Sequence, residues 1–194
     1  MSLQEKINKI TAKKGEVRGE VILKSIDFIK REKGKVGFQK LKNTLADLDF
    51  ETDFTQINPL DWLDASLLTT ILILSKDLFD WTDRDFVEMG SYTPKNSIVN
   101  KLFIDHFNSH NALLEVIDDY WQKIFTFGNL EVKDKKDKEI TITISNYDFH
   151  PLNCFFISGL LETLFSLSIK GNAKVKEEKC IHQGDSVHQF SIKW

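Results

Sequence analysis

Four side chains near the C-terminal end have the types and spacing to do chemistry together: Cys154, Glu177, Cys180 and His188. As thiolate, carboxylate and imidazole they are competent zinc ligands, and a closed structural zinc site takes four such groups in a tetrahedron. If the last hairpin turns about Gly184, Cys180 and His188 stand opposite each other across it, with Cβ atoms ~5 Å apart on one face. Glu177 precedes Cys180 by three positions. Residues so spaced point to opposite faces of a regular strand, so convergence requires a bulge or an early turn between them. Cys154 must reach in from the preceding segment, and a metal there would make binding part of folding. The same residues admit a plainer reading, because free cysteine is among the most buried residue types and serves as a small core hydrophobe. A nucleophilic cysteine with His182 or His188 as base is the weakest alternative, since no third orienting group or oxyanion loop can be picked out.

The elements that must position these groups follow from periodicity. Val21, Ile22, Ile26 and Ile29 recur at helical spacing from Gly19 to Arg31, with Gly34 as a stop, and a short helix follows from Phe38 to Leu48. Asp61 is expected to cap a helix through Leu63, Leu67, Leu68, Ile71 and Leu74. Thr82 or Asp83 caps the next, which should break at Gly90, and Lys95 to Phe107 reads as another. A long helix from Ser109 carries Leu113, Ile117, Tyr120, Trp121 and Ile124 inward until Gly128. Beyond it the period changes to two. Leu130 and Val132, then Ile140, Ile142 and Ile144, predict strands, with Lys133 to Lys138 as a solvated loop between them. Pro151 opens a helix through Phe155, Phe156, Leu160 and Leu164, and Ala173 to Lys179 with Val187 to Trp194 forms the closing hairpin. The predicted class is α+β: one domain over residues 1–194, whose helical N-terminal half packs on an antiparallel sheet of about four strands in strand-strand-helix-strand-strand order.

Composition narrows the function classes. The chain has 194 residues, 26 basic against 29 acidic, so no net charge draws it to nucleic acid or anionic lipid. Two cysteines without a CxxC pair fit a reducing compartment, no signal peptide is read at the start, and Leu67 to Leu74 is far too short to span a bilayer. The expected setting is cytoplasmic, with no membrane span. Fifteen phenylalanines and four tryptophans are the surplus that needs a use, in a core or in an apolar pocket.

The run Cys154-x4-Gly159-Leu-Leu-Glu162, followed by Val175-x-Glu177-x-x-Cys180-x3-Gly184-Asp185-x-x-His188-x-Phe190, resembles the C-terminal motif of the 4-vinyl reductase domain. That small-molecule sensor module belongs to the superfamily of ligand-binding domains shared by heme nitric-oxide sensors and Golgi transport particle subunits. The resemblance covers about forty residues. It implies a structural zinc on Cys154, Glu177, Cys180 and His188, with histidine standing where the family has its last cysteine. The exchange keeps four ligands and moves the formal site charge from about -2 to about -1. It also fits a lineage that has lost the metal and kept the fold.

The resemblance further implies a small apolar molecule held between helices and sheet. Phe103, His106, Phe107, Tyr120, Trp121, Phe125, Phe155 and Phe156 could line that space, or simply fill the core. The heme-binding branch of the superfamily places an axial histidine where His106 and His110 stand. It also uses a Tyr-x-Ser-x-Arg motif that this chain lacks, since its arginines are Arg18, Arg31 and Arg84, none beyond the helical half. The sequence therefore argues against heme. The leading expectation is a non-enzymatic sensor or adaptor domain with a hydrophobic or aromatic ligand and a structural zinc, acting through a homodimer or a separate signalling partner. The alternatives are a heme-based gas sensor, an enzyme acting on a tetrapyrrole-like substrate, and a pure protein-interaction subunit.

Overall fold

The structure is a computed structural model and describes residues 3–97 and 110–194. Helix α1 (Leu3–Thr11) leads into β1 (Glu16–Arg18), then α2 (Gly19–Ala46), β2 (Trp62–Asp64), α3 (Ala65–Phe79) and α4 (Asp83–Lys95). After the undescribed stretch come α5 (His110–Ile124), β3 (Asn129–Lys136), β4 (Glu139–Ser145), α6 (Pro151–Ile169), β5 (Lys174–Lys179) and β6 (His188–Lys193). This is the α+β class the pattern predicts. The antiparallel sheet has the order β3-β4-β6-β5, and Ile140, Ile142, Ile144, Phe190 and Ile192 turn its inner face into the core.

The two helices read before and after Gly34 are both present within α2, separated by a kink where Gly34 takes φ 65°, a value that glycine adopts without steric cost. Several other local expectations are corrected. Asp61 does not cap α3. It accepts the Asn58 N–H at 3.1 Å, while Trp62–Asp64 pairs with Glu16–Arg18 and Asp64 caps α3 by accepting the Ser66 N–H at 2.8 Å. Lys133–Lys136 continues β3, shrinking the loop to Asp137 and Lys138. The helix read over Lys95–Phe107 lies outside the described residues apart from its start, where Lys95 ends α4.

Gly90 does not break α4; it lets another helix in. A Cβ on Gly90 would sit 1.9 Å from the Phe156 carbonyl oxygen, and one on Gly159 would sit 1.9 Å from the Val87 carbonyl oxygen. The two backbones therefore touch where α4 crosses α6, and each glycine is required by the other helix. Helix α6 is long and apolar enough to cross a membrane by composition, but most of it is buried within the fold. It is the central core helix, and its first turn carries Cys154.

Candidate metal centre

The four predicted ligands converge. Helix α6 begins with Pro151 at its first position and His150 as N-cap, whose Nδ1 accepts the Leu152 N–H at 3.3 Å. That start aims Cys154 at the closing hairpin. On the hairpin, Glu177 pairs with Phe190 and Lys179 with Gln189, so one residue is bulged between them. The bulge is the one the spacing requires, and it returns Glu177 to the face used by Cys180. Cys180 is fixed through its own backbone: its N–H donates to Asp185 Oδ2 at 2.8 Å, and its carbonyl accepts the N–H of Gln183 at 2.9 Å and of Asp185 at 3.2 Å. Gly184 closes this turn with φ 100°.

The Cys154 and Cys180 Sγ atoms are 3.7 Å apart, Cys154 Sγ lies 3.6 Å from His188 Nδ1, and that nitrogen is 2.9 Å from Glu177 Oε1. All four ligand atoms fall within 4.8 Å of one another. Tetrahedral zinc with bonds of roughly 2.0–2.3 Å needs its ligands about 3.3–3.8 Å apart, so most of the geometry is already in place. The sulfurs are far beyond disulfide length, and both thiols are free.

Hydrogen bonding orients the imidazole. His188 is 1% exposed, and its Nε2 lies 2.8 Å from the Tyr147 carbonyl, which can only accept. The Nε2 proton is thus committed, and Nδ1 faces Glu177 and Cys154. A lone pair and a carboxylate at 2.9 Å require a proton or a cation between them. This is how ligating histidines are held, with the far nitrogen donating to a carbonyl. Burial, then the Glu177 charge, pushes the Cys154 thiol well up; burial also raises Cys180. Both stay protonated without a metal, and ionise on binding one.

His182, the alternative base, stands outside the four. Its ring is 5.6 Å from that of His188, and its Nδ1 is 3.5 Å from Asp148 Oδ1. Tyr147 and Asp185 are the supporting residues that ligand-type reasoning passed over. Asp185 was visible as the Gly184-Asp185 turn, whereas the Tyr147 role rests on a backbone carbonyl and has no side-chain signal.

The residues expected around a ligand divide. Trp121 of α5 and Phe125 just past its end pack at 4.5 Å between ring centroids and join Phe127, Tyr147 and Phe149 in one aromatic cluster. The Trp121 indole donates to the Phe127 and Gly128 carbonyls at 3.0 and 3.1 Å. Tyr120 is buried on the same helix; Phe156 is buried beneath Gly90, and Phe155 is half-buried. Phe103, His106 and Phe107 lie outside the described residues, and His110 opens α5. The crevice bounded by Ile144, Tyr147, Cys154, Ile157, His188 and Phe190 is too tight for a water molecule.

No protein-family model matches the chain, and no curated protein matches it. Solved structures share its fold. An H-NOX protein from S. oneidensis in the Fe(II) ligation state, a triple mutant, superposes with a TM-score of 0.71 at 14% identity, covering 91% of this chain and 95% of that one. The same organism's H-NOX protein in the Fe(II)NO state gives 0.68 at 14% identity, with 91% and 98% covered. An unliganded Fe(II) H-NOX protein from K. algicida gives 0.65 at 13% identity, with 91% and 95% covered.

Proposed function

We propose that this chain is a small-molecule sensor domain of H-NOX fold whose core helix is fastened to its last hairpin by a structural zinc on Cys154, Glu177, Cys180 and His188. The observation that carries the reading is the convergence of four ligand atoms from three separate places in the chain within 4.8 Å, with the imidazole already turned to present Nδ1. The 4-vinyl reductase resemblance supports the same four residues. The sensed molecule is small and apolar, and since the rings of Trp121 and Phe125 are packed against each other, the residues left to hold it are the half-buried Phe155 together with Phe103, His106 and Phe107. The signal passes by contact between protein surfaces. Metal analysis of protein purified without a histidine tag tests the site: one zinc per chain is expected. No zinc, with Cys154 and Cys180 alkylated in the native state, overturns it.

The second reading is a heme-based gas sensor, and the fold likeness favours it, because two neighbours are described by their Fe(II) and Fe(II)NO ligation states and a third by its heme redox potential. That likeness weighs against the sequence argument that set heme aside. Among the described residues the fit is poor. No arginine stands beyond Arg84 to meet propionates, and the space beside α5 is taken up by the packed rings of Trp121, Phe125, Phe127 and Tyr147. Titration with hemin decides between them: a saturable Soret band at one heme per chain establishes the gas-sensor reading, and its absence leaves the zinc-bearing sensor.

A further inference from the structure

A net charge of -3 conceals a sharp segregation of sign. From Lys30 to Lys42 stand six cations, Lys30, Arg31, Lys33, Lys35, Lys40 and Lys42, against Glu32 alone. From Asp47 to Asp64 stand six carboxylates and no lysine or arginine. The basic stretch is the elbow of α2 about Gly34, with Val36 84% exposed at its tip. The acidic stretch is the loop that follows α2, together with β2. They are neighbours, because Phe38 of the elbow meets Phe54 of the loop edge-on at 5.9 Å. Thr55 hydrogen bonds and, more weakly, the field of Lys42 hold the Asp53 carboxyl below its ordinary range.

Adjacent opposite charges would ordinarily pair, yet among the described residues the ion pairs of these stretches come down to Arg31 with its neighbour Glu32. Half of each set is engaged locally. Lys30 lies over the Phe38 ring at 4.5 Å, Arg31 over Phe28 and Tyr92 at 4.7 and 4.8 Å, and Lys33 over Phe79 at 5.8 Å. Asp53, Asp61 and Asp64 accept backbone N–H groups of Thr55, Asn58 and Ser66. Lys35, Lys40 and Lys42 remain exposed on one side, and Asp47, Asp49 and Glu51 on the other.

We propose that this face binds a second copy of the chain across a two-fold axis, the Lys35, Lys40 and Lys42 side chains of each protomer meeting the Asp47–Glu51 loop of the other and Val36 being covered between them. Two adjacent patches of opposite sign are self-complementary under a two-fold rotation, since each contact is made twice. A lipid surface or a nucleic acid is a poorer occupant, because the acidic loop beside the elbow repels both. The contacts lie at the surface, so the association is screened by salt.

Sedimentation equilibrium of the whole chain tests this. At about 200 µM protein and about 50 mM salt the mass is expected to be twice the 22.5 kDa chain, falling to one chain at about 1 M salt, where the screening length is about 3 Å. The triple variant Lys35→Glu, Lys40→Glu, Lys42→Glu and the double variant Asp47→Lys, Glu51→Lys should each be monomeric with unchanged circular dichroism. Their equimolar mixture should regain the doubled mass, since both reciprocal contacts are restored. Reversal of Lys133, Lys135 and Lys136 on β3 should leave the dimer intact. A monomer at low salt, a dimer indifferent to salt and to these reversals, or a monomer that co-sediments with phosphatidylserine vesicles each overturns the proposal.

Discussion

Helix α6 is held at two places only about a turn and a half apart, and the two holds work by different physics. At Cys154 it is held by donor atoms, a thiol 3.7 Å from a second thiol and 3.6 Å from an imidazole that itself lies 2.9 Å from a carboxylate. At Gly159 it is held by shape, with the backbone of α4 where a side chain would otherwise be. The first hold is conditional. On the proposed reading it changes with metal, and in any case with protonation, because a buried cluster of ionisable groups is favourable only when its charges are matched. The second is unconditional, since van der Waals contact has no titration and no ligand. A helix fastened in both ways can keep its place in the core while its first turn responds to solution chemistry.

Removing the metal ligand should give the largest separation of the two holds. With free zinc about 1,000-fold above its dissociation constant, binding adds about 4 kcal/mol to the folded state. His188→Ala should lose that contribution in urea denaturation and show no further loss with chelator, whereas His188→Cys should retain one zinc. Gly159→Ala should cost about 3 kcal/mol, because the added methyl has only backbone to displace. The loss should be equal with and without chelator; a chelator-dependent loss would mean the two holds are one.

The pH dependence of zinc affinity sharpens the contrast further. Both thiols are raised in the metal-free fold, and a further proton stands between His188 Nδ1 and Glu177, so at least two protons must leave on binding, and affinity should fall at least about 100-fold for each unit of pH lost. Isothermal titration in two buffers of different ionisation enthalpy counts those protons. The smallest effect belongs to His150, the N-cap of α6, whose pKa burial pushes down to about 4 from 6.5. The unfolded chain therefore binds the proton first, and stability is lost as pH falls from 6.5 towards 4. Since the ring is partly solvated, the loss should be roughly 1 kcal/mol after screening. His150→Asn, which keeps a capping acceptor, should flatten that part of the stability–pH curve.

Much of this was legible in the residues. The change from a period near four to a period of two after Gly128 marks the boundary between helical half and sheet, and Pro151 marks the start of α6. The need for a bulge before Cys180 follows from the parity of strand positions, and the register supplies it. Other features carried no local signal. Trp62–Asp64 is three residues long, too short for any alternation to show, so its pairing with Glu16–Arg18 went unread. Gly90 has the same local appearance whether it breaks a helix or admits a neighbour. The apolar length of α6 was likewise hidden by its division among cysteine, serine and threonine.

Residue types and their spacing determined that four zinc-competent groups exist, that helix gives way to antiparallel strands, and that the aromatic surplus must be buried. These are properties of local pattern and of composition, which the chain carries with it unfolded. Only the tertiary structure decided that the four groups meet, that His188 presents Nδ1 because the Tyr147 carbonyl takes Nε2, and that α4 and α6 touch through paired glycines. Those facts depend on distances between segments far apart in sequence, and such distances are set by packing of the whole core.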